Sequence, residues 1–354
     1  FYYKAKNSSM GLILNLVTLG ALVILFFALR DQISSTFDDL THIHAWFLLL
    51  IIPVEFLNYH AQSRLYQRLF NIVGNVLDYW YLFRISLELN FVNHVFPSGG
   101  VTGLSYFSLR LRDGKKLTAA KATLVHFMKL AMMFLSFELL IIFGLISLAV
   151  MGRANNLVML VAGSLSTLLL LGTVGFFYVI ESRSRINNFF IFITTALNKL
   201  IHLIRPKYPE TINTENAKRM VNDFHDNYVE IKSSYKELKI PFLYGLLTNI
   251  TEVAAIYVVF IAFGEWVNIG AVILAYAIAN FAGLISVLPG GIGIYEALMV
   301  TTLASCGVPA AVSLPVIVMY RVVNTLIQLP PGYYLYNKAL QEGDSPEGAA
   351  SSHV

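Results

Sequence analysis

From Ala122 to Val150 the chain is apolar apart from two charged side chains, Lys129 and Glu138. As a helix this stretch rises about 43 Å, more than the roughly 30 Å of hydrocarbon in a bilayer. Water cannot solvate such a surface, and only a helix or a closed barrel satisfies its own backbone in lipid. Similar runs at Met10 to Arg30, His44 to Ser63, Leu157 to Ile180, Ile240 to Phe263 and Pro309 to Leu335 bring the expected number of full spans to about six. Charged residues make up 13% of the chain and mean hydropathy is +0.65, whereas soluble domains carry about 25% charged residues. The expected fold is an all-α polytopic membrane protein. A disordered scaffold and a disulfide-stapled domain are excluded, the latter because Cys306 is the single cysteine. A net charge of +4 gives no reason to expect nucleic acid as a partner. The first apolar run is too long for a cleavable signal peptide and is expected to remain in the mature chain.

Orientation follows from Lys and Arg, which cytoplasmic loops retain. Twenty of the 25 fall at Lys4 and Lys6, Arg64 and Arg68, Arg110 to Lys121, Glu181 to Ile240, and Lys338. The alternating connections hold Asp31, Asp38 and Asp39, then Arg153, then Glu265. This distribution predicts cytoplasmic N- and C-termini and divides the chain into four parts. Residues 1–180 form a first membrane half, 181–240 a cytoplasmic or interfacial helical linker, 241–338 a second half and 339–354 a polar tail. Within the linker, Pro206 and Pro209 separate two helical pieces. Phe189 to Ile204 suits an interfacial helix. The second piece places Val221, Phe224, Tyr228, Ile231 and Tyr235 at three- and four-residue intervals, as a helix packing one face on the membrane body does.

Two hydrophobic regions, 71–109 and 268–306, are each interrupted by proline and glycine. The chain is cytoplasmic both after Arg68 and at Arg110, so the first must enter and return. Its turn reads Pro97-Ser98-Gly99-Gly100-Val101-Thr102-Gly103, and the arm from there to Arg110 is about ten residues, half a span. A re-entrant hairpin fits better than two crossings. The second region, with Pro289-Gly290-Gly291-Ile292-Gly293-Ile294-Tyr295-Glu296, starts after the external Glu265 and enters from the other side. The order span, hairpin, small-residue loop, span thus occurs twice in opposite senses, as an inverted-topology repeat. Such repeats place a binding site near the midplane, where helix N-termini favour anions, and phosphate is the anion a membrane supplies. The competing use of these glycines is close helix packing.

At these residues the chain resembles the transmembrane domain of the lysylphosphatidylglycerol synthase family, also described as flippase-like integral membrane proteins. The resemblance rests on the Pro97 to Gly103 turn with its following basic run, and on Pro289-Gly-Gly-x-Gly-x-x-Glu296 followed by Gly307 and the span containing Arg321. It covers nearly the whole chain. It implies lipid translocation in a prokaryotic cytoplasmic membrane, with a membrane lipid as partner and a separate lipid-modifying enzyme as a candidate second partner. In some members a soluble aminoacyl transferase follows the membrane domain. None follows here, so lipid handling without aminoacylation is expected.

Ionisable residues inside a membrane cost roughly 2.5 to 3.5 kcal/mol each on insertion scales and point to function. Arg321 lies mid-span with Asn324 and Gln328 on one face, and His126 and Lys129 hold a similar place in the matching span. Glu55 and Glu252 lie in the leading spans, with Glu138 and Glu296 beyond them. The expected substrate-binding set is Arg321, Asn324, Glu296, Gly290, Gly291, Gly293, Ser98, Gly99, Gly100, Thr102, His126, Lys129 and Glu252. Arg321 has two competing roles, direct phosphate ligand or ion-pair partner of Glu296 or Glu252. Arg84 and Glu88 are expected at the interface. His94 and His126 stand too far apart in sequence for a zinc motif, and no Walker loop or Ser-His-Asp arrangement occurs, so neither metal nor cofactor is expected. The functional expectation is a flippase-like transporter of an anionic phospholipid or polyprenyl-phosphate-linked lipid. The alternatives are a membrane-embedded transferase using Glu296 or His94 as base, and a non-transporting accessory subunit of a lipid- or glycan-assembly pathway.

Overall fold

A computed structural model describes residues 43–96, 101–115, 117–152, 156–189, 191–192, 214–285 and 293–344, and these are helical apart from their turns. A 3-10 turn, Ala45–Leu50, leads into α1, Ile51–Ile72. Then come α2, Tyr79–Val95; α3, Val101–Lys115; α4, Ala119–Val150; and α5, Asn156–Ile180. After the linker follow α6, Thr214–Ser233; α7, Lys239–Ala262; α8, Ile269–Ile285; α9, Ile294–Ser305; and α10, Ala310–Asp344.

Among the described residues four helical segments are long and apolar enough to cross a membrane: Ala119–Val150, Val158–Ile180, Tyr235–Ala262 and Ala310–Gln341. The expected span Met10 to Arg30 lies outside the described residues. The one expected at His44 to Ser63 is helical but runs on to Ile72. Glu55, Asn58, Gln62, Arg64 and Arg68 leave it less apolar than the other four. In the first hairpin α3 has 15 residues rather than about ten, because the helix continues through Arg110 and Arg112. Both returning arms, α3 and the 12-residue α9, stay short of the hydrocarbon thickness at about 22 and 18 Å.

The repeat is legible in backbone hydrogen bonds. After α1, Val73 N–H donates to the Leu69 carbonyl, Gly74 to Asn71 and Asn75 to Phe70. The same three bonds recur after α7, from Phe263 to Val259, Gly264 to Ile261 and Glu265 to Phe260, every residue displaced along the chain by one constant offset. Gly74 and Gly264 both close the turn in the left-handed region, with φ 73° and 76°, where any Cβ is strained. Asp78 and Asn268 then cap the next helices, through the N–H groups of Tyr81 and Gly270. The leading helices α1 and α7 run antiparallel. His44 N–H reaches the Ala262 carbonyl at one end, and Leu65 lies against Gly245 at the other.

The halves interlock. The closing helix of each unit packs on the hairpin of the other: α4 on α8 where Gly144 meets Gly270, and α10 on α2 where Gly332 meets Phe91. A Cβ on Gly332 would stand 2.7 Å from Phe91 Cβ and 2.9 Å from the Leu87 carbonyl, so this crossing requires glycine. One apolar core, with Ile51, Phe260 and Met299, fills one end of the molecule, and a second, with Tyr66, Phe70 and Phe107, fills the other. The second core also takes Phe224, Tyr228 and Ile231 from α6, as the helical spacing predicts. Tyr235 is exposed instead, because α6 ends at Ser233 and a 3-10 turn redirects the chain. The side chain of Val221 and most of Phe189 to Ile204 lie outside the described residues.

Candidate functional site

Helix α9 starts at the second glycine cluster, and its first turn faces a helix-borne cation. Gly293 is the N-cap, with φ 85°, and among the described residues a Cβ there would meet no atom within 4 Å. Three residues on, Glu296 folds back so that its Oε2 accepts the Gly293 N–H at 2.7 Å. This puts a carboxylate at the positive end of the helix dipole. Its other oxygen accepts from Arg321 Nη1 of α10 at 2.8 Å, and the guanidinium lies 5.0 Å from the centroid of the Tyr295 ring. Both side chains are largely buried, Arg321 at 12% and Glu296 at 7% exposure. Arg321 is the twelfth residue of α10, about 17 Å along its axis from the start, close to half the hydrocarbon thickness. A helix N-terminus and an arginine thus converge on one pair of anionic oxygens, and a phosphate presents the same geometry as the carboxylate that occupies it.

A chain of polar side chains extends from this region through the contact between the two halves. Asn58 of α1 donates to the Thr248 carbonyl, to Thr251 Oγ1 and to Glu252 Oε1 on α7, at 3.1, 2.9 and 3.1 Å. Its own oxygen accepts from Gln62 at 2.7 Å. Lys129 Nζ of α4 donates to Gln62 Oε1 at 3.0 Å, and Tyr320 OH of α10 donates to Glu252 Oε2 at 3.0 Å. The last two contacts are equivalents under the repeat: Glu252 is the counterpart of Gln62 at the offset of the matched turns, and Tyr320 lies within one position of the counterpart of Lys129. The fold places the same two hydrogen bonds on both sides of Asn58 and fills them with different chemistry, a cation on an amide and a phenol on a carboxylate. From Tyr320 the chain continues through Asn324 to Gln328, which donates to Glu55 Oε2 at 2.8 Å and accepts from Asn90 of α2 at 2.5 Å.

The structure brings Arg321, Glu296 and Gly293 into one cluster, and Asn324, Glu252 and Lys129 into the adjoining chain. His126 goes elsewhere. Its Nδ1 pairs with Tyr66 OH at 2.9 Å, and its ring lies 5.3 Å from that of Phe107, inside an aromatic part of the core. Thr102 sits partly buried on the first turn of α3, and the adjoining Gly103 lies so close to Asn93 that any side chain there collides. Ser98, Gly99, Gly100, Gly290 and Gly291 lie outside the described residues. Glu88, expected at the interface, is buried inside the first hairpin, where Tyr106 OH and Arg110 Nε donate to it at 2.7 and 3.3 Å. Arg84 is exposed. Sequence reading misses Asn58, Gln62, Tyr59, Asn90 and Tyr320. The available signal is neutral polar residues at four-residue spacing in a leading span, as in Asn58 and Gln62.

The chain is similar to two membrane proteins of Methanothermobacter thermautotrophicus named UPF0104 membrane proteins. One is 32% identical over 97 residues and the other 27% identical over 117. These matches take in 27% and 32% of this chain and 29% and 34% of the relatives, so the chain spans about a third of the length of the curated relatives it matches. The model described as the lysylphosphatidylglycerol synthase TM region matches residues 12–332. The chain therefore belongs to the lysylphosphatidylglycerol synthase transmembrane-region family, as an integral membrane protein of lipid metabolism.

Proposed function

We propose that this protein is a flippase-like transporter that moves an anionic phospholipid or a polyprenyl-phosphate-linked lipid between leaflets. The observation that carries the reading is the Glu296 carboxylate, held at once by the α9 N-terminus and by Arg321. In the resting state the carboxylate stands where a lipid phosphate would stand. Arrival of the phosphate transfers Arg321 from Glu296 to the substrate, and departure restores the ion pair, so the arginine is never left unpaired in hydrocarbon. No described residue lies within 4 Å of a Cβ placed on Gly293, on the side from which a headgroup would approach. Asn324 and Glu252 line the polar path beyond. The two hairpins are re-entrant, entering from opposite faces, and alternating access follows from rocking one repeat against the other.

Glu296 is a poor fit to the transferase alternative, because both its oxygens are already engaged as acceptors. Reconstitution into liposomes containing a fluorescent phosphatidylglycerol, or a fluorescent polyprenyl phosphate, tests the proposal. Leaflet exchange is expected with at least one of them. Arg321→Lys should retain part of the rate, because lysine offers a point charge without the bidentate fork, and Arg321→Ala should abolish it. Product formation without exchange would establish the transferase instead. The hairpin orientation is tested separately in a Cys306-free background. Cysteines at Ser98 and Gly290 should react with an impermeant thiol reagent from opposite sides of the membrane, and labelling of both from one side would end the inverted-repeat arrangement.

A further inference from the structure

The polar chain between the two halves ends at Glu55, and Glu55 is the group whose surroundings balance least. It is 2% exposed. Its Oε2 has the neutral Gln328 amide as donor, while Oε1 is buried without a hydrogen-bond partner. An ionised carboxylate so placed loses its hydration and recovers one hydrogen bond from a neutral group, which leaves it far short of balance.

The groups around it do not supply the missing positive charge. On α1 the neighbour is Tyr59, from α8 Tyr276, and from α10 Tyr320, all phenols. From α7 comes a second carboxylate, Glu252, only partly buried and already accepting from Asn58 and Tyr320. From α2 comes the Asn90 amide, which reaches Tyr59 and Gln328, with His94 one turn beyond it. The cation of the network is Lys129 on α4, hydrogen-bonded to Gln62 and electrostatically paired with Glu252. On α9 and α10, Glu296 and Arg321 neutralise each other. Within this network of described residues, Glu55, Glu252 and Glu296 in ionised form stand against Lys129 and Arg321 and leave one negative charge uncompensated. One proton brings the count to zero.

The two carboxyls are also wired together. Glu55 connects through Gln328, Asn324 and Tyr320 to Glu252 by an unbroken run of hydrogen bonds of 2.8 to 3.3 Å. Glu55 is buried and Glu252 only partly so, which makes Glu252 the outer member of the pair. One member of the run, Tyr320, adjoins Arg321 on the same helix.

From this arrangement we infer that Glu55 and Glu252 form a proton-binding site at the repeat interface, holding one proton between them, and that the proton travels with the lipid. The proton adds to the unpartnered Glu55 Oε1 as an O–H group and leaves to water; the amides of Gln328 and Asn324 hold the two carboxyls in one hydrogen-bonded run without relaying it. The lipid-coupling half rests on the transport reading above; the proton site does not. A phosphodiester carries one negative charge, so lipid and proton together cross as a neutral pair, and movement is insensitive to membrane potential.

Infrared difference spectroscopy on the whole chain in phosphatidylcholine vesicles tests the site without any transport. A protonated-carboxyl carbonyl band, shifted in heavy water, is expected at neutral pH, absent in Glu55→Gln and displaced in Glu252→Gln. Gln328→Leu, which removes the one neutral donor to Glu55 and leaves the carboxyl in place, should shift the same band and serves if Glu55→Gln does not fold. No such band at neutral pH, or a band indifferent to Glu55 and Gln328, overturns the proposal. The coupling is read with fluorescent phosphatidylglycerol in vesicles bearing a pH difference. The lipid should accumulate in the leaflet facing the alkaline side, approaching about tenfold per pH unit for one proton. Glu55→Gln should still exchange lipid but lose this accumulation. Exchange that ignores the pH difference, or follows an imposed sodium gradient instead, overturns proton coupling. A Glu55-dependent band with no exchange in any vesicle sinks the transport reading and upholds the proton site.

Discussion

The two hairpins are built to one plan and closed in opposite ways. In the first, Gly103 near the start of the returning helix presses on Asn93 of the entering one, and the hairpin's buried acid, Glu88, is held by Tyr106 and Arg110 from within the same hairpin. In the second, a Cβ on Gly293 at the equivalent position of the repeat meets no described residue within 4 Å, and the buried acid, Glu296, is held by an arginine from the following long helix. The position that carries Tyr106 in the first hairpin carries Glu296 in the second. A self-satisfied hairpin is a packing element. One whose charge is balanced from outside can exchange that partner, and under the transport proposal this difference makes the second hairpin the one that meets the lipid.

The comparison predicts unequal consequences for the two arginines. Arg321→Ala leaves Glu296 buried with a single backbone donor, which costs about 3 to 5 kcal/mol for an uncompensated buried charge. Adding Glu296→Gln removes the stranded charge and should restore most of that stability, as read by thermal unfolding in detergent, without restoring lipid binding. Arg110→Ala should cost distinctly less, because Glu88 keeps the Tyr106 hydroxyl and Arg110 is itself 22% exposed. Equal losses at the two sites would remove the basis for assigning them different roles. Recovery of transport in the Arg321 and Glu296 double variant would reduce the arginine to a structural partner.

The glycines give the next largest contrast. Gly103→Ala puts a methyl group where the terminal amide of Asn93 stands. Overpacking costs about 1 to 3 kcal/mol in a rigid site. Because this amide ends an exposed side chain that can turn away, a loss near the low end of that range, read as a lowered unfolding temperature, is expected. Gly293→Asn is the opposite experiment. Asparagine tolerates a positive φ better than other side chains, and its Cβ meets no described residue within 4 Å. Folded protein should persist while binding of a short-chain phosphatidylglycerol weakens. If both variants lose only fold, or neither affects binding, the two glycines share the packing role.

Much of this architecture is legible in the sequence, and the limits have physical causes. Hydrophobic length identifies the long helices, and parity of the basic loops identifies the hairpins, because both depend on transfer energies that sum over many residues. Arg321 and Glu296 stand out because charge in an apolar run is expensive. The register that relates the two halves does not stand out, since its signature is a turn defined by backbone hydrogen bonds, with Gly74 and Gly264 the one identity it requires. The polar chain is hidden for a related reason: Lys129 with Gln62 and Tyr320 with Glu252 are the same contact made by side chains that share no chemistry. The burial of Glu88 is not legible either, because it depends on α3 running far enough to bring Tyr106 and Arg110 onto it.

The smallest expected difference lies where the hairpins begin. Asp78 and Asn268 occupy the same capping position, each accepting a backbone N–H from the first turn, of Tyr81 at 2.9 Å and of Gly270 at 2.7 Å. Asp78 is exposed, so water can replace its oxygen when it is removed, and Asp78→Ala should cost about 1 kcal/mol, the usual value for a lost cap. Asn268 is 7% exposed and does more: its oxygen also accepts from Ser147 Oγ at 3.1 Å, and its amide faces the Met151 sulfur. Asn268→Ala therefore strands the Ser147 hydroxyl as well as the Gly270 N–H in a place water reaches poorly, and about 2 kcal/mol is expected. Thermal unfolding of the two variants in one detergent measures the ratio. A cost at Asp78 equal to that at Asn268 would mean that the first hairpin's entry is as sealed as the second's, against the exposure of its cap. A twofold difference would show that the same backbone turn has been set into water in one half and into the protein interior in the other, and that the asymmetry of the hairpins already begins at their entrances.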